Sequence, residues 1–231
     1  MHLEPRTGLI IALDVLDSKA ALKLASSISS HIDAIKVSIP SVVKPLAVEK
    51  VNVIEGLRSA TGLPVIADWK TADVPHMNTM IVSLLASLGA RAVIVHGFMG
   101  EDSVKACVDE ARKGSMDAFV VVEVSSPGAT KVMQPLGPEL AKMAKGCGAA
   151  GIIAPGTRPE RIKLYRSIIG SEMRILSPGI GAQGADPGSA ISAGADFEIV
   201  GRSIYGAKDP AAEAVRIASI TCSALKSAKR I

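Results

Sequence analysis

Two carboxylates and an ammonium lie within the six residues Asp68-Trp69-Lys70-Thr71-Ala72-Asp73, directly after the apolar run Leu63-Pro64-Val65-Ile66-Ala67. An Asp/Lys pair can do acid–base work. The ammonium stabilises negative charge developing on a substrate and then supplies a proton, while the carboxylate holds that ammonium in place. If the run is a strand, alternation puts Asp68 and Lys70 on one face and Trp69 on the other. A D-x-K triplet at a strand end is also an ordinary solvated turn, and the triplet alone does not separate the two readings.

The elements that would position this pair are short apolar runs with amphipathic segments between them, the βα alternation of a parallel sheet. Strands are predicted at 9–15, 34–37, 64–70, 92–96, 118–124, 151–154, 174–176 and 197–200. Helices are predicted at 18–30, from the second strand to about 60, from about 75, and at 102–113, 138–145, 159–169 and 210–226. Eight βα units predict one (β/α)8 TIM barrel, read here as a single domain over 1–231 with its active site at the C-terminal strand ends. An open doubly wound sheet is disfavoured, since no G-x-G-x-x-G turn follows the first strand. Asp14, Lys36, Asp68, Lys70, His96, Ser125 and Arg202 all fall at or just after predicted strand ends, which a barrel gathers on one surface.

Composition narrows the partners. Aromatics are 3% of the chain, too few for a base-stacking surface, and the formal charge of +4 comes from scattered Lys and Arg with acids between them. That pattern suits a small anionic ligand and argues against nucleic acid. Cys107, Cys147 and Cys222 are odd in number and show no C-x-x-C pairing, so they read as reduced thiols of a cytoplasmic protein. Residues 1–8 have no basic segment followed by a long apolar one, and no later run has membrane-spanning length, so a soluble protein is expected. His2, His31 and His76 show no metal-ligand spacing, and no metal or cofactor is expected. Trp69, Met133 and Met143 read as packing or loop residues, and His96 as a hydrogen-bonded structural histidine more than a ligand contact.

The turn Ser177-Pro178-Gly179-Ile180-Gly181-Ala182-Gln183-Gly184 carries three glycines, and Gly201-Arg202 supplies a cation one strand later. Loops after strands seven and eight are the recurrent phosphate site of such barrels, so phosphate binding is predicted there. Asp186-Pro187 reads as a helix start.

Four elements in order, D-x-K-x-x-D-V at Asp68 to Val74, V-S-S-P-G-A at Val124 to Ala129, P-G-I-G-A-Q-G from Pro178 and G-R at Gly201-Arg202, resemble the orotidine 5'-monophosphate decarboxylase family over nearly the whole chain. The resemblance implies cofactor-free conversion of orotidine 5'-monophosphate (OMP) to UMP. It implies Lys70 as proton donor to C6, Asp68 against the substrate carboxylate, and an alternating charge network of Lys36, Asp68, Lys70 and Asp73. It implies a homodimer in which Asp73 reaches the neighbouring subunit's site, with Val74 and the position of Met77 also at substrate. Asp14 and Lys36 would touch ribose hydroxyls, Ser125 the pyrimidine, and Gln183 both base and phosphate. Arg202 and Gly201 would hold the phosphate, under a closing loop at Pro178 and Gly179. One departure stands out: the family usually has Thr where this chain has Met77.

A metal-dependent sugar-phosphate decarboxylase or aldolase of the same superfamily is the alternative. That group holds magnesium with a Glu at the end of strand two, where this chain has Lys36, and an ammonium there opposes a divalent cation. From another class, a non-catalytic phosphate or nucleotide sensor would bind ligand without consuming it.

Overall fold

The computed structural model describes residues 3–228, which leaves His2 outside the described residues. Eight parallel strands close into a barrel in chain order, β1-β2-β3-β4-β5-β6-β7-β8. They are β1 Leu9–Ala12, β2 Ala34–Ser38, β3 Val65–Thr71, β4 Ala92–His96, β5 Asp117–Val121, β6 Gly151–Ile153, β7 Arg174–Pro178 and β8 Phe197–Val200. Closure is made by β1 on β8, with Ile10 opposite Ile199. The (β/α)8 barrel expected from the eight apolar runs is the fold observed.

Strand alternation divides the apolar residues into two buried sets. Ile10, Ile66, Ile94, Phe119, Leu176 and Phe197 fill the barrel interior. Ile11, Ile35, Val65, Val93, Val120 and Ile175 face the helices. Each such side chain contributes roughly 1.5–3 kcal/mol on burial, so a one-residue slip of any strand is strongly disfavoured. Registers put Lys36 beside Ile66, and Ser38 beside Asp68. Lys36 and Asp68 therefore continue the inward rows of Ala34 and Ile66 up to the barrel mouth.

The helices are α1 Ser18–Ile28, α2 Ile39–Lys44, α3 Val53–Thr61, α4 Pro75–Ser87, α5 Glu101–Lys113, α6 Ala129–Gly146, α7 Pro159–Ile169, α8 Ser189–Ala193, α9 Arg202–Tyr205 and α10 Pro210–Ser227. Asp17 caps α1 by accepting from the Ala20 amide at 2.7 Å, and Asp209 caps α10 through Ala212 at 3.0 Å. Pro75 opens α4, where its missing N–H costs nothing.

Several predicted boundaries are corrected. The helical stretch after β2 is broken by a π turn at Pro45–Glu49 and by Lys50 in the left-handed region. The first strand stops at Ala12, so Asp14 stands on the following loop, and the fifth stops at Val121 instead of 124. The seventh runs on to Pro178. The helix after β5 begins at Ala129 and not at 138, carrying Pro135 and Pro138 inside it. Asp186-Pro187 lies in the turn before α8, whose first residue is Ser189. Arg202, read as following a strand end, opens the unpredicted short helix α9. Among the described residues no helix is long and apolar enough to cross a membrane.

Candidate active site

The C-terminal barrel mouth holds a cavity of about 410 Å³. Its floor is apolar, formed by Ile94, Val121, Ile153 and Ile199, and its walls carry three cations and two carboxylates: Lys36, Lys70, Arg202, Asp14 and Asp68. Ser125, Pro178, Gly179, Gln183 and Gly201 complete the predicted residues that line it. Ser38, Pro40, Ile180, Ala182 and Tyr205 also line it and were not singled out from the sequence. Two of them had a signal, since Ser38 is two residues beyond Lys36 on the same strand face and Tyr205 is three beyond Arg202 on one helix.

Asp68 is the hub. Its carboxylate accepts from Lys36 Nζ at 2.7 Å through Oδ2 and from Lys70 Nζ at 2.7 Å through Oδ1. Burial alone would raise the Asp68 pKa. The charges of Lys36 and Lys70, with their hydrogen bonds, outweigh it and hold the carboxyl below its ordinary range. Lys36 is buried, whereas 46% of the Lys70 side chain is exposed at the mouth. One carboxylate thus fixes two ammoniums, one of them facing the space a ligand would fill.

The approach of Lys70 to Asp68 does not come from a regular pleat. Asp68 is opposite Ile94 but Thr71 is opposite Val95, so Trp69 and Lys70 form a bulge. Lys70 has φ of +48°, a left-handed conformation that costs a non-glycine residue on the order of 1–2 kcal/mol. Bulges of this kind re-aim a side chain. Trp69 packs against the outer core, as expected of the opposite face.

The loop after β7 crosses the cavity. Its Gln183 Oε1 accepts from Ser125 Oγ at 2.7 Å, and its Ala182 amide donates to Ser203 Oγ at 2.9 Å. Internal bonds from the Gly181 amide to Ala185 O at 2.7 Å and from the Gly184 amide to Gly181 O at 2.8 Å fold the loop on itself. Gly181 has φ of +70°, and a Cβ there would lie 2.2 Å from Ser203 Oγ, so only glycine permits this approach.

Asp73, Val74 and Met77 are not part of this chain's own cavity. They are exposed around the start of α4, with 55% of Val74 and 39% of Met77 accessible. The Asp73 backbone is held by Asn78 and Ser103, and its Oδ1 accepts from the Val74 amide at 2.7 Å. Within one chain the charge network therefore runs Lys36–Asp68–Lys70 and does not reach Asp73. Thr79 Oγ1 donates to Pro75 O at 3.0 Å and is engaged in its own helix.

His96 stands beside the site without lining it. Its ring packs on Phe98 at 4.6 Å, and burial, with the nearby Lys70 charge, lowers its pKa. Its buried Nδ1 has no partner among the described residues, which corrects the expectation of a hydrogen-bonded histidine. Among those residues no three His, Cys, Asp or Glu side chains converge as a metal-binding group. Met133 is buried in the inner core and Met143 packs on the outer one, as packing residues should.

The family model described as orotidine 5'-phosphate decarboxylase / HUMPS family matches residues 7–217. An orotidine 5'-phosphate decarboxylase of Methanosarcina mazei is 46% identical over 216 residues, covering 94% of this chain and 96% of the relative. That of Thermococcus kodakarensis is 43% identical over 209 residues, covering 90% and 94%. The crystal structure of orotidine 5'-monophosphate decarboxylase from Methanocaldococcus jannaschii, complexed with the inhibitor BMP, is similar at TM-score 0.86 and 37% identity, covering 95% of this chain and 99% of that one. The Pyrococcus horikoshii enzyme gives TM-score 0.83 at 40% identity, covering 92% and 98%.

Proposed function

The chain belongs to the orotidine 5'-phosphate decarboxylase / HUMPS family and converts OMP to UMP in pyrimidine biosynthesis, and on that premise we propose how its own side chains do so. Breaking the bond between C6 and the carboxyl carbon leaves an electron pair on an sp2 carbon that the ring delocalises poorly. The protein must lower that barrier by on the order of 20 kcal/mol. Lys70 is the proton donor. As carbon dioxide departs, its ammonium stabilises the charge growing at C6 and then transfers a proton to form the C6–H bond. The neutral amine recovers its proton from solvent.

Asp68, kept ionised by Lys36 and Lys70, orients the donor and sets its own charge against the substrate carboxylate before that group leaves. Asp14 and Lys36 take the ribose hydroxyls, and Ser125 takes the pyrimidine edge. Gln183 spans base and phosphate. Arg202, with the Gly201 backbone and the Pro178-Gly179 turn, holds the phosphate, whose remote binding energy is spent on positioning C6. The observation that carries the reading is the Asp68 carboxylate at 2.7 Å from each of two ammoniums, in a cavity whose far wall is Arg202 and a glycine turn.

Asp73, Val74 and Met77 act in a second copy of the chain, so the enzyme is a homodimer with shared sites. Support comes from exposed apolar side chains on the same helix and on neighbouring elements, Met80 and Leu84 on α4, Ile39 and Val43 on α2, and Phe98 and Met99 after β4. We also take 1–231 as one domain and the enzyme as cytoplasmic, without nucleic acid or membrane partners; the free cysteines fit a reducing compartment. The test is the ultraviolet absorbance of OMP mixed with purified protein, with and without EDTA. Conversion to UMP insensitive to the chelator is expected. No conversion, with sugar-phosphate turnover appearing only on addition of magnesium, would move the chain to the alternative activity.

A further inference from the structure

A second charged cluster lies behind the site and takes no part in the chemistry above. Glu123, two residues before Ser125, is fully buried. Its Oε1 accepts from Arg158 Nη1 at 2.8 Å and its Oε2 from Arg161 Nε at 2.8 Å, and Tyr165 Oη also donates to Oε2. Burial, and the hydrogen bond to Glu123, push the Tyr165 phenol above its ordinary range, so it stays a donor. Arg158 then turns to the loop: Nη1 donates to Val124 O at 3.0 Å and Nη2 to Ser126 O at 3.2 Å. The guanidinium therefore grips the carbonyls on both sides of Ser125.

The neighbouring helix is shaped to admit this cluster. A Cβ on Gly137 would lie 2.1 Å from Tyr165 Oη, so a glycine is needed inside α6. Pro138 has no N–H to offer the carbonyl four residues back, and that carbonyl, Gln134 O, accepts from Arg161 Nη2 at 2.7 Å instead. The two residues that interrupt the helix thus free the space and the acceptor that the arginines use. Removing either partner of a buried ion pair leaves an uncompensated charge, so the cluster favours one geometry.

We infer that Glu123 and Arg158 are positioning residues that fix the β5–α6 loop so that Ser125 meets the pyrimidine edge and Gln183 in one geometry. The inference rests on the proposed contact of Ser125 with the ring. Arg158 is suited to the task because its planar fork fixes two nitrogens, Nη1 on Glu123 and Val124 O and Nη2 on Ser126 O, a spread that one ammonium nitrogen on a flexible stem does not reproduce.

The test compares Arg158→Lys, Ser125→Ala and the double variant by kcat/KM for OMP, with thermal melting alongside. Arg158→Lys keeps the charge beside Glu123 but loses the fork. It is expected to melt within a few degrees of the wild type and to lose roughly 10- to 100-fold in kcat/KM. Because it acts through Ser125, the double variant should lose no more than the worse single one. Wild-type kcat/KM in Arg158→Lys, or losses that multiply in the double variant, would overturn the positioning role. Should Arg158→Lys fold poorly, Glu123→Gln, which preserves shape and removes the charge, takes its place with the same expected non-additivity. Wild-type kcat/KM in Ser125→Ala would instead refute the ring contact, and the purpose of the clamp with it.

Discussion

Replacing Lys36 by Met removes one of the two cations that hold Asp68 while nearly preserving volume. Lys36 and Asp68 are both buried, 2.7 Å apart. Removing one partner of a buried pair costs about 3–5 kcal/mol when the other is left alone. Here Asp68 retains Lys70, but that side chain is 46% exposed and screened by water, so it compensates only in part. The expected destabilisation at neutral pH is about 2–3 kcal/mol, or roughly 5–10 °C in Tm for a chain of this size. Linkage gives the claim its sign. The folded-state pKa of Asp68 is held below its unfolded value, so its stabilisation is present above the ordinary carboxylate range and disappears as pH falls through the folded value. Lys36 is the larger of the two lowering charges, so its loss shrinks that stabilisation. In the wild type at low pH, Lys36 is left buried beside a neutral carboxyl, a burden the variant lacks. Urea unfolding of both proteins from pH 7.5 downward, as far as both remain folded, should show the gap narrowing steadily below about pH 4. A gap of the same size throughout would show that the loss is one of packing, and no gap at pH 7.5 would refute the buried pair as a source of stability.

Lys70→Ala should lower kcat by roughly 10⁴-fold or more, since charge stabilisation and proton delivery are lost together, while UMP affinity by calorimetry changes little; near-normal turnover would remove Lys70 as donor. Arg202→Ala should raise KM by roughly 10- to 100-fold, the worth of one charge-assisted phosphate contact, and an unchanged KM would take Arg202 out of the site. Mixing equal amounts of unfolded Lys70→Ala and Asp73→Asn chains and refolding them should restore about a quarter of wild-type activity. Half of randomly formed dimers would be hybrids, each with one intact site of two. Recovery no greater than the average of the two variants would show that Lys70 and Asp73 do not come from different chains.

The barrel was legible because each strand is a short apolar run and each run is followed by room for a helix. The charged hub was legible for the same reason, as Lys36 and Asp68 simply continue inward-facing rows. The bulge at Lys70 was not, since a left-handed lysine has no signature in residue type. The start of α6 was misplaced because Pro138 reads as a first-turn proline, and the carbonyl it leaves free, Gln134 O, is satisfied by Arg161, 27 residues away in sequence. Glu123 was overlooked for a related cause: as one acid after an apolar run it looks like a strand end, and its two arginines come from another helix turn altogether. Asp73 and Met77 do not line their own chain's cavity, so within one copy the expected charge network stops at Lys70.

The flap formed by the loop after β7 has a kinetic consequence. Its internal turn bonds are separate from its two side-chain latches, Ser125–Gln183 and Ser203–Ala182, so the closing loop of the proposed reading would move with its turn intact. Each latch contributes about 0.5–1.5 kcal/mol net, and Ile180 at the base of the loop is buried in the core, so the closed arrangement is held by both. With Arg202 on the phosphate as proposed, the dwell time of a nucleotide depends on how firmly that phosphate is gripped. OMP and UMP carry the same phosphate. The grip that recruits the one also delays departure of the other, so an enzyme with faster chemistry on this frame would gain nothing in throughput unless it also let go sooner.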